Sequence, residues 1–132
     1  LRGYYPDGIS IINLTYLQSA ANANVSEYTA TLDRLLPQLT SAASDNNAVV
    51  GLTTGIEGLP DSTFFSSRLL PCLHKNHLSY VMFGPNHGDF NAGHYYVPYP
   101  GISNDRIHDF TNFYNDPQTV FLSDLNGLYL KH

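Results

Sequence analysis

Three short runs of β-branched and other apolar residues, at positions 9–14, 48–53 and 79–83, most restrict what this chain can fold into. Each is bounded by Gly, Pro, Asn or Asp, and continuous apolar runs of this length read as strands of a parallel sheet covered on both faces. Between the first two, after a polar loop from Gln18 to Val25, Tyr28, Leu32, Leu35, Leu36 and Leu39 recur at helical spacing. Ser26 is the expected N-cap of that helix, and Pro37 should kink it or end it early because proline removes a backbone donor. Between the second and third runs, Leu59-Pro60-Asp61 punctuates the chain. Asp61 suits a cap there, and Phe64, Phe65, Arg68, Leu69 and Leu73 form a helical face interrupted by Pro71. A long connection over 84–103, rich in Gly, Pro, Asn, His and Tyr, precedes a last helical pattern at Ile107, Phe110, Phe113 and Tyr114. The apolar run at 120–130 suits a short closing helix.

Strands that alternate with helices roughly every 30 to 40 residues are the mark of consecutive βα units with right-handed crossovers, so the class is α/β. The 132 residues hold one domain at most. Three such units are physically incomplete. Helices from three crossovers cover one face of a parallel sheet, and the other face and both edges stay open unless further strands supply the rest. The chain also opens on Leu1-Arg2-Gly3 without an initiator Met and passes almost at once into an apolar run, as a piece of a longer protein would.

Composition excludes several function classes. Net charge is −5, and the six Lys plus Arg form no cluster, which argues against a nucleic-acid partner. No apolar stretch reaches the roughly 18 to 20 residues that cross a bilayer, and no membrane partner is expected. A lone cysteine, Cys72, rules out an internal disulfide framework and a cysteine zinc site, and reads as a small buried apolar residue. No Gly-x-Ser-x-Gly elbow, phosphate loop or His-Glu-x-x-His occurs, so serine hydrolase, nucleotide and zinc-peptidase readings have no starting point. No cofactor is expected.

In α/β sheets and barrels, functional residues gather at the carboxyl ends of the strands, here around Leu14 to Gln18, Thr53 to Glu57 and Met82 to His94. Carboxylates are scarce there. Glu57 is the candidate catalytic residue, although a turn carboxylate that caps the following helix or faces water is the simpler account of it; Asp89 reads as a solvated loop residue. His87 and His94 flank a Gly-rich loop and, with Asp89, have the chemistry of metal ligands, but their spacing alone does not make them converge, so no metal is expected. His74 and His77 sit where a helix should end, where a positive charge meets the last carbonyls favourably. Aromatic rings are the positive signal. Tyr95, Tyr96 and Tyr99, within His94-Tyr95-Tyr96-Val97-Pro98-Tyr99-Pro100-Gly101, together with Tyr16 and Phe83 at strand ends, offer flat faces and hydroxyl tips suited to sugar rings; packing under a long loop is the alternative.

The segment Gly51-Leu52-Thr53-Thr54-Gly55-Ile56-Glu57-Gly58-Leu59-Pro60, the opening Asp61-Ser62-Thr63-Phe64-Phe65, the Tyr-rich segment just quoted and Phe113-Tyr114-Asn115-Asp116-Pro117 resemble, in this order, the carboxyl-terminal part of glycoside hydrolase family 26. The resemblance runs from Tyr4-Tyr5-Pro6 to Leu128-Tyr129. It implies a partial (β/α)8 TIM barrel whose three βα units correspond to strands six to eight. It implies a parent enzyme that hydrolyses β-1,4-mannan or a related β-glycan with retention, in the extracellular space. The family's acid/base glutamate follows the fourth strand and so lies outside this chain.

At the family's nucleophile the pattern reads Thr-Glu-Thr-Gly, whereas here Thr53 is followed directly by Thr54-Gly55, so the nucleophile is deleted and Glu57 matches a neighbouring acidic position. An Asp-x-Tyr pattern is replaced by Thr15-Tyr16-Leu17, and a Trp-Arg pair by Gly84-Pro85, or by Phe83-Gly84 with a gap. The expectation is a chain that does not cleave, with a non-catalytic carbohydrate-binding or structural relative as the second reading. The expected partners are a β-mannan or related polysaccharide and the missing remainder of the barrel; an interaction module that self-associates through its sheet edge is a third reading. Of two sequons, Asn13 falls inside a strand where a glycan would not fit, and Asn24 alone is credible.

Overall fold

The computed structural model describes residues 8–125 and 127. Three parallel strands, β1 (Ile11–Gln18), β2 (Val49–Ile56) and β3 (Tyr80–Phe83), form one sheet in the order β1-β2-β3. The chain is thus α/β with a parallel sheet, as its periodicity predicts. The strand positions differ in detail: β1 begins two residues later than the first apolar run and continues to Gln18, and β2 continues to Ile56. Polar Thr15, Gln18 and Thr54 extend these strands because the ladder pairs them all the way, Gln18 with Ile56 and Thr15 with Thr53.

Alternation assigns the two faces. Leu14, Tyr16, Leu52, Thr54, Val81 and Phe83 turn toward the helices, and Asn13, Thr15, Gly51, Thr53, Tyr80 and Met82 toward the opposite, open face. Helix α1 (Val25–Asp45) buries Tyr28, Leu32, Leu36 and Ala43 against the first face. Its N-cap is Asn24, whose side chain accepts from the Glu27 N–H at 3.0 Å, and not the expected Ser26. Pro37 neither ends nor splits this helix. It lies on the exposed side, while buried Leu32, Leu36 and Ala43 anchor both halves to the sheet.

The second crossover is irregular. A π-turn over Phe64–Leu69 passes into α2 (Leu70–Lys75), with Pro71 in its first turn. Asp61 does not cap a helix as expected; it accepts from the N–H and hydroxyl of Thr63 and pairs with Arg68 at 2.8 Å. The π-turn is held from a distant element. On α3 (Asn104–Tyr114), buried Asp109 accepts from the backbone N–H of Phe65 at 2.7 Å, of Ser66 at 3.0 Å, and from the Ser66 hydroxyl. Phe65 then packs edge-on against Phe64, Phe83 and Phe110, so one aromatic cluster joins β3, the π-turn and α3. Of the predicted closing helix, the described part is a 3₁₀ turn over Leu122–Leu125; residues 126 and 128–130 lie outside the described residues, as do Tyr4, Tyr5, Pro6 and the Leu128-Tyr129 end of the resemblance.

The open face carries Ile11, Leu17, Val49 and Met82, all exposed. Tyr80 lies flat across it: its ring occupies the space a side chain at Gly51 would need, and its hydroxyl donates to the side-chain amide oxygen of Asn13 at 3.0 Å. Asn13 in turn donates to Thr15 at 3.1 Å and to Thr53 at 3.3 Å. Beside the outer edge of β3, a groove of about 460 Å³ runs between the end of α2 and the segment after α3, lined by Leu73, Val81, Phe83, Phe113 and Phe121 with His74 at its side.

Candidate functional site

The carboxyl ends of the parallel strands all open at one end of the sheet, where the loops after Gln18, Ile56 and Phe83 meet. Glu57, one residue past β2, is the junction of all three. Its Oε2 accepts from the Ala20 N–H at 3.1 Å and its Oε1 meets His87 Nε2 at 3.0 Å, so a single carboxylate holds the loop after β1 and the loop after β3 to the end of β2. The Ala20 N–H and then His87 hold its carboxyl below the ordinary carboxylate range. The side chain therefore neither caps the following helix nor simply faces water.

The loop after β3 is ordered by its own polar groups. The Asn86 side chain accepts from the N–H groups of Tyr96 and Val97 at 2.8 and 3.1 Å and donates to the Val97 carbonyl at 3.0 Å. The His87 N–H donates to the His94 carbonyl at 2.9 Å, and the two imidazole rings stack 5.1 Å apart and 6° from parallel. Tyr96 is 9% exposed, and its ring lies over Gly55 and Gly84, where a Cβ would approach it within 2.8 and 2.6 Å. Only glycine leaves that space. Burial, and secondarily the Glu57 charge, raise the Tyr96 hydroxyl pKa. Glu57, His87, His94 and Tyr96 thus form one constellation over the strand ends.

Tyr95 and Tyr99 belong to a neighbouring ring cluster. Tyr99 stacks on Phe90 at 4.2 Å, Tyr95 meets Tyr99 at 5.0 Å, and both tyrosines pack against the core. Tyr16 and Phe83 are not brought to this surface. Tyr16 stacks on Tyr28 at 5.7 Å, and Phe83 packs on Phe65 and Phe113, both on the helix side of the sheet. The physical reason is parity: at the strand ends, each of these residues falls on the alternate position that points to the helices. Asp89 is exposed and accepts from the Asn91 N–H at 2.8 Å; among the described residues no three His, Cys, Asp or Glu side chains converge on a metal position. His74, in the last turn of α2, meets both oxygens of Asp116 at 3.1 Å, and His77 is exposed beyond the helix. Sequence reasoning missed the organising role of Asn86 and the position of Phe90; the pairing of Gly55 and Gly84 was the available signal that a ring crosses them.

Among the described residues, Glu57 is the carboxylate that bridges the strand-end loops, Asp89 is exposed on the loop after β3, and the open-face positions Asn13, Thr15, Gly51, Thr53, Tyr80 and Met82 carry none. Searches against protein-family models and curated proteins give no match. A solved structure does match: BoMan26A from Bacteroides ovatus, with a TM-score of 0.79 and 34% sequence identity over 97% of this chain. BoMan26A is a GH26 β-mannanase. The chain described here spans 36% of BoMan26A. Its three-stranded sheet and helices therefore have the fold of part of a GH26 enzyme, and the likeness is that of a glycoside-hydrolase-like relative.

Proposed function

We propose that the chain is one unit, the carboxyl-terminal arc of a GH26-type (β/α)8 barrel with its strands in the places of six to eight, which takes a β-mannan or related β-glycan at its strand ends without cleaving it. The observation that carries this reading is the carboxylate inventory at that end. Retaining hydrolysis needs two carboxyl groups about 5.5 Å apart. Here Glu57 is the carboxylate that reaches the strand ends, and both its oxygens are engaged in clamping loops. Thr53 and Gly55, on the inward alternate positions of β2, supply no nucleophile. Moving Glu57 into that role would release Ala20 and His87, and a displacement of about 1 Å at a reacting centre already costs on the order of a hundredfold in rate.

The half-buried rings and hydroxyls of Tyr95 and Tyr99, beside the buried Tyr96, are the tyrosine chemistry left near the strand ends for a sugar, and an extracellular location follows from a polymeric glycan as ligand. The open face and the β3 edge, with Ile11, Val49, Leu17 and Met82 exposed, support the missing remainder of the barrel as a second partner, since unpaired edges and apolar faces are stabilised by further strands. The test is to titrate the chain with β-1,4-mannohexaose by calorimetry and to measure reducing ends over the same concentrations. Binding without release of reducing ends is the expected outcome. A rate of release that is lost in Glu57→Gln would replace this reading with a catalytic one.

A further inference from the structure

We infer that Phe90 is a stacking shelf for a pyranose ring at the rim of the strand-end surface. This rests on the glycan reading above and says where on that surface a sugar ring lies. The three tyrosines that sequence singles out are largely committed elsewhere: Tyr96 fills the space above Gly55 and Gly84, and Tyr95 and Tyr99 pack against the core. Phe90 differs. It is 38% exposed, on a 3₁₀ turn (Phe90–Ala92) that Asp89 caps by accepting the Asn91 N–H and that Gly93, at φ 84°, closes in the left-handed conformation.

Tyr99 lies against one face of the Phe90 ring at 4.2 Å and 26°, and Tyr95 meets it edge-on at 6.4 Å and 86°. The exposed part of the ring is therefore the side away from Tyr99. A scattered surface phenylalanine is ordinary and needs no ligand. This one is backed by two further rings, on a capped turn whose neighbouring Asp89 and Asn91 are themselves exposed polar residues. An apolar ring face bordered by hydrogen-bonding groups matches a pyranose, which has C–H bonds on its ring face and hydroxyls around its edge. A rigid platform also forfeits little side-chain entropy on binding.

The chain contains no tryptophan, so Phe90→Trp installs a single indole reporter at the shelf. Titration of that variant with β-1,4-mannohexaose should give a saturable change in tryptophan emission at the concentration where calorimetry reports binding. Phe90→Ala should weaken binding about tenfold, with the far-UV circular dichroism spectrum unchanged, and Phe90→Tyr should retain affinity within about twofold. If the unsubstituted chain binds the hexasaccharide while Phe90→Ala binds equally and the Phe90→Trp emission stays constant, the shelf is overturned and the glycan reading stands. If the natively folded unsubstituted chain does not bind, the glycan reading falls and takes the shelf with it.

Discussion

Replacing Gly51 by Ala should destabilise the chain while Tyr80 is in place and stabilise it once Tyr80 is itself Ala. An added Cβ at Gly51 would lie 1.9 Å from Tyr80 Cζ and 2.3 Å from its Cε2 and hydroxyl oxygen, so the ring must swing away. That motion breaks the Tyr80–Asn13 hydrogen bond, worth about 1 kcal/mol. It also lifts roughly 40 Å² of apolar ring surface from the sheet, worth about 1 kcal/mol at 25 cal/mol/Å². Against this, Gly51 has no positive φ, so Ala fits the strand backbone and restores roughly 0.5–1 kcal/mol of conformational entropy. The net loss is about 1 kcal/mol with Tyr80 present, against a gain of about 0.5–1 kcal/mol in Tyr80→Ala, which is a coupling of about 2 kcal/mol. Urea unfolding of the four proteins, followed by far-UV circular dichroism, reads this directly. With a slope of about 2 kcal/mol/M, the midpoint should fall by about 0.5 M for Gly51→Ala and rise by about 0.3 M when the same change is made in Tyr80→Ala. Equal downward shifts in both backgrounds would refute the placement of Tyr80 over Gly51.

Other consequences follow from single contacts. Asp109→Ala leaves the Phe65 and Ser66 N–H groups without their acceptor in a buried turn and should cost about 3 kcal/mol, read as a fall in Tm of about 10 °C; an unchanged Tm would show that the π-turn does not depend on α3. Glu57, Asp61 and Asp116 have carboxyl pKa values depressed by their partners, so the stability they contribute is complete above the ordinary carboxylate range and is lost as pH falls through the lower, folded-state values. Tm should accordingly hold steady from pH 7 to 5 and decline below about pH 4, and Glu57→Gln should shallow that decline. Burial, reinforced by the Asp33 carboxylate, pushes the Cys72 thiol up to about 12. It should stay unmodified by iodoacetamide at pH 8 in the folded chain and react in urea; rapid labelling without denaturant would contradict its buried position.

The elements of this fold were legible because each has a local cause. Apolar runs of strand length and the Tyr28, Leu32, Leu36 stripe announce β1, α1 and β2 wherever the rest of the chain lies. The errors arose where a local signal met tertiary context. Pro37 is a helix breaker in isolation, but here it lies on the exposed side of a helix that buried Leu32, Leu36 and Ala43 anchor on both sides of it. The candidate site was half legible. The tyrosine-rich segment and Glu57 stand out by composition, yet whether Tyr16 faces a ligand or Tyr28 depends on strand parity at its last turns, and that depends on a register with Thr54 set 38 residues away.

Residue order alone determined the α/β class, the three βα units and the scarcity of carboxylates at the strand ends, because periodicity and charge count are properties of the chain itself. Only the tertiary structure decided that Glu57 clamps two loops, that Asp109 holds the π-turn, that Tyr96 crosses two glycines and that Phe90 keeps a face in solvent. Those outcomes depend on which groups long loops bring within about 3 to 4 Å of one another, and such distances are set by packing, which no local pattern encodes.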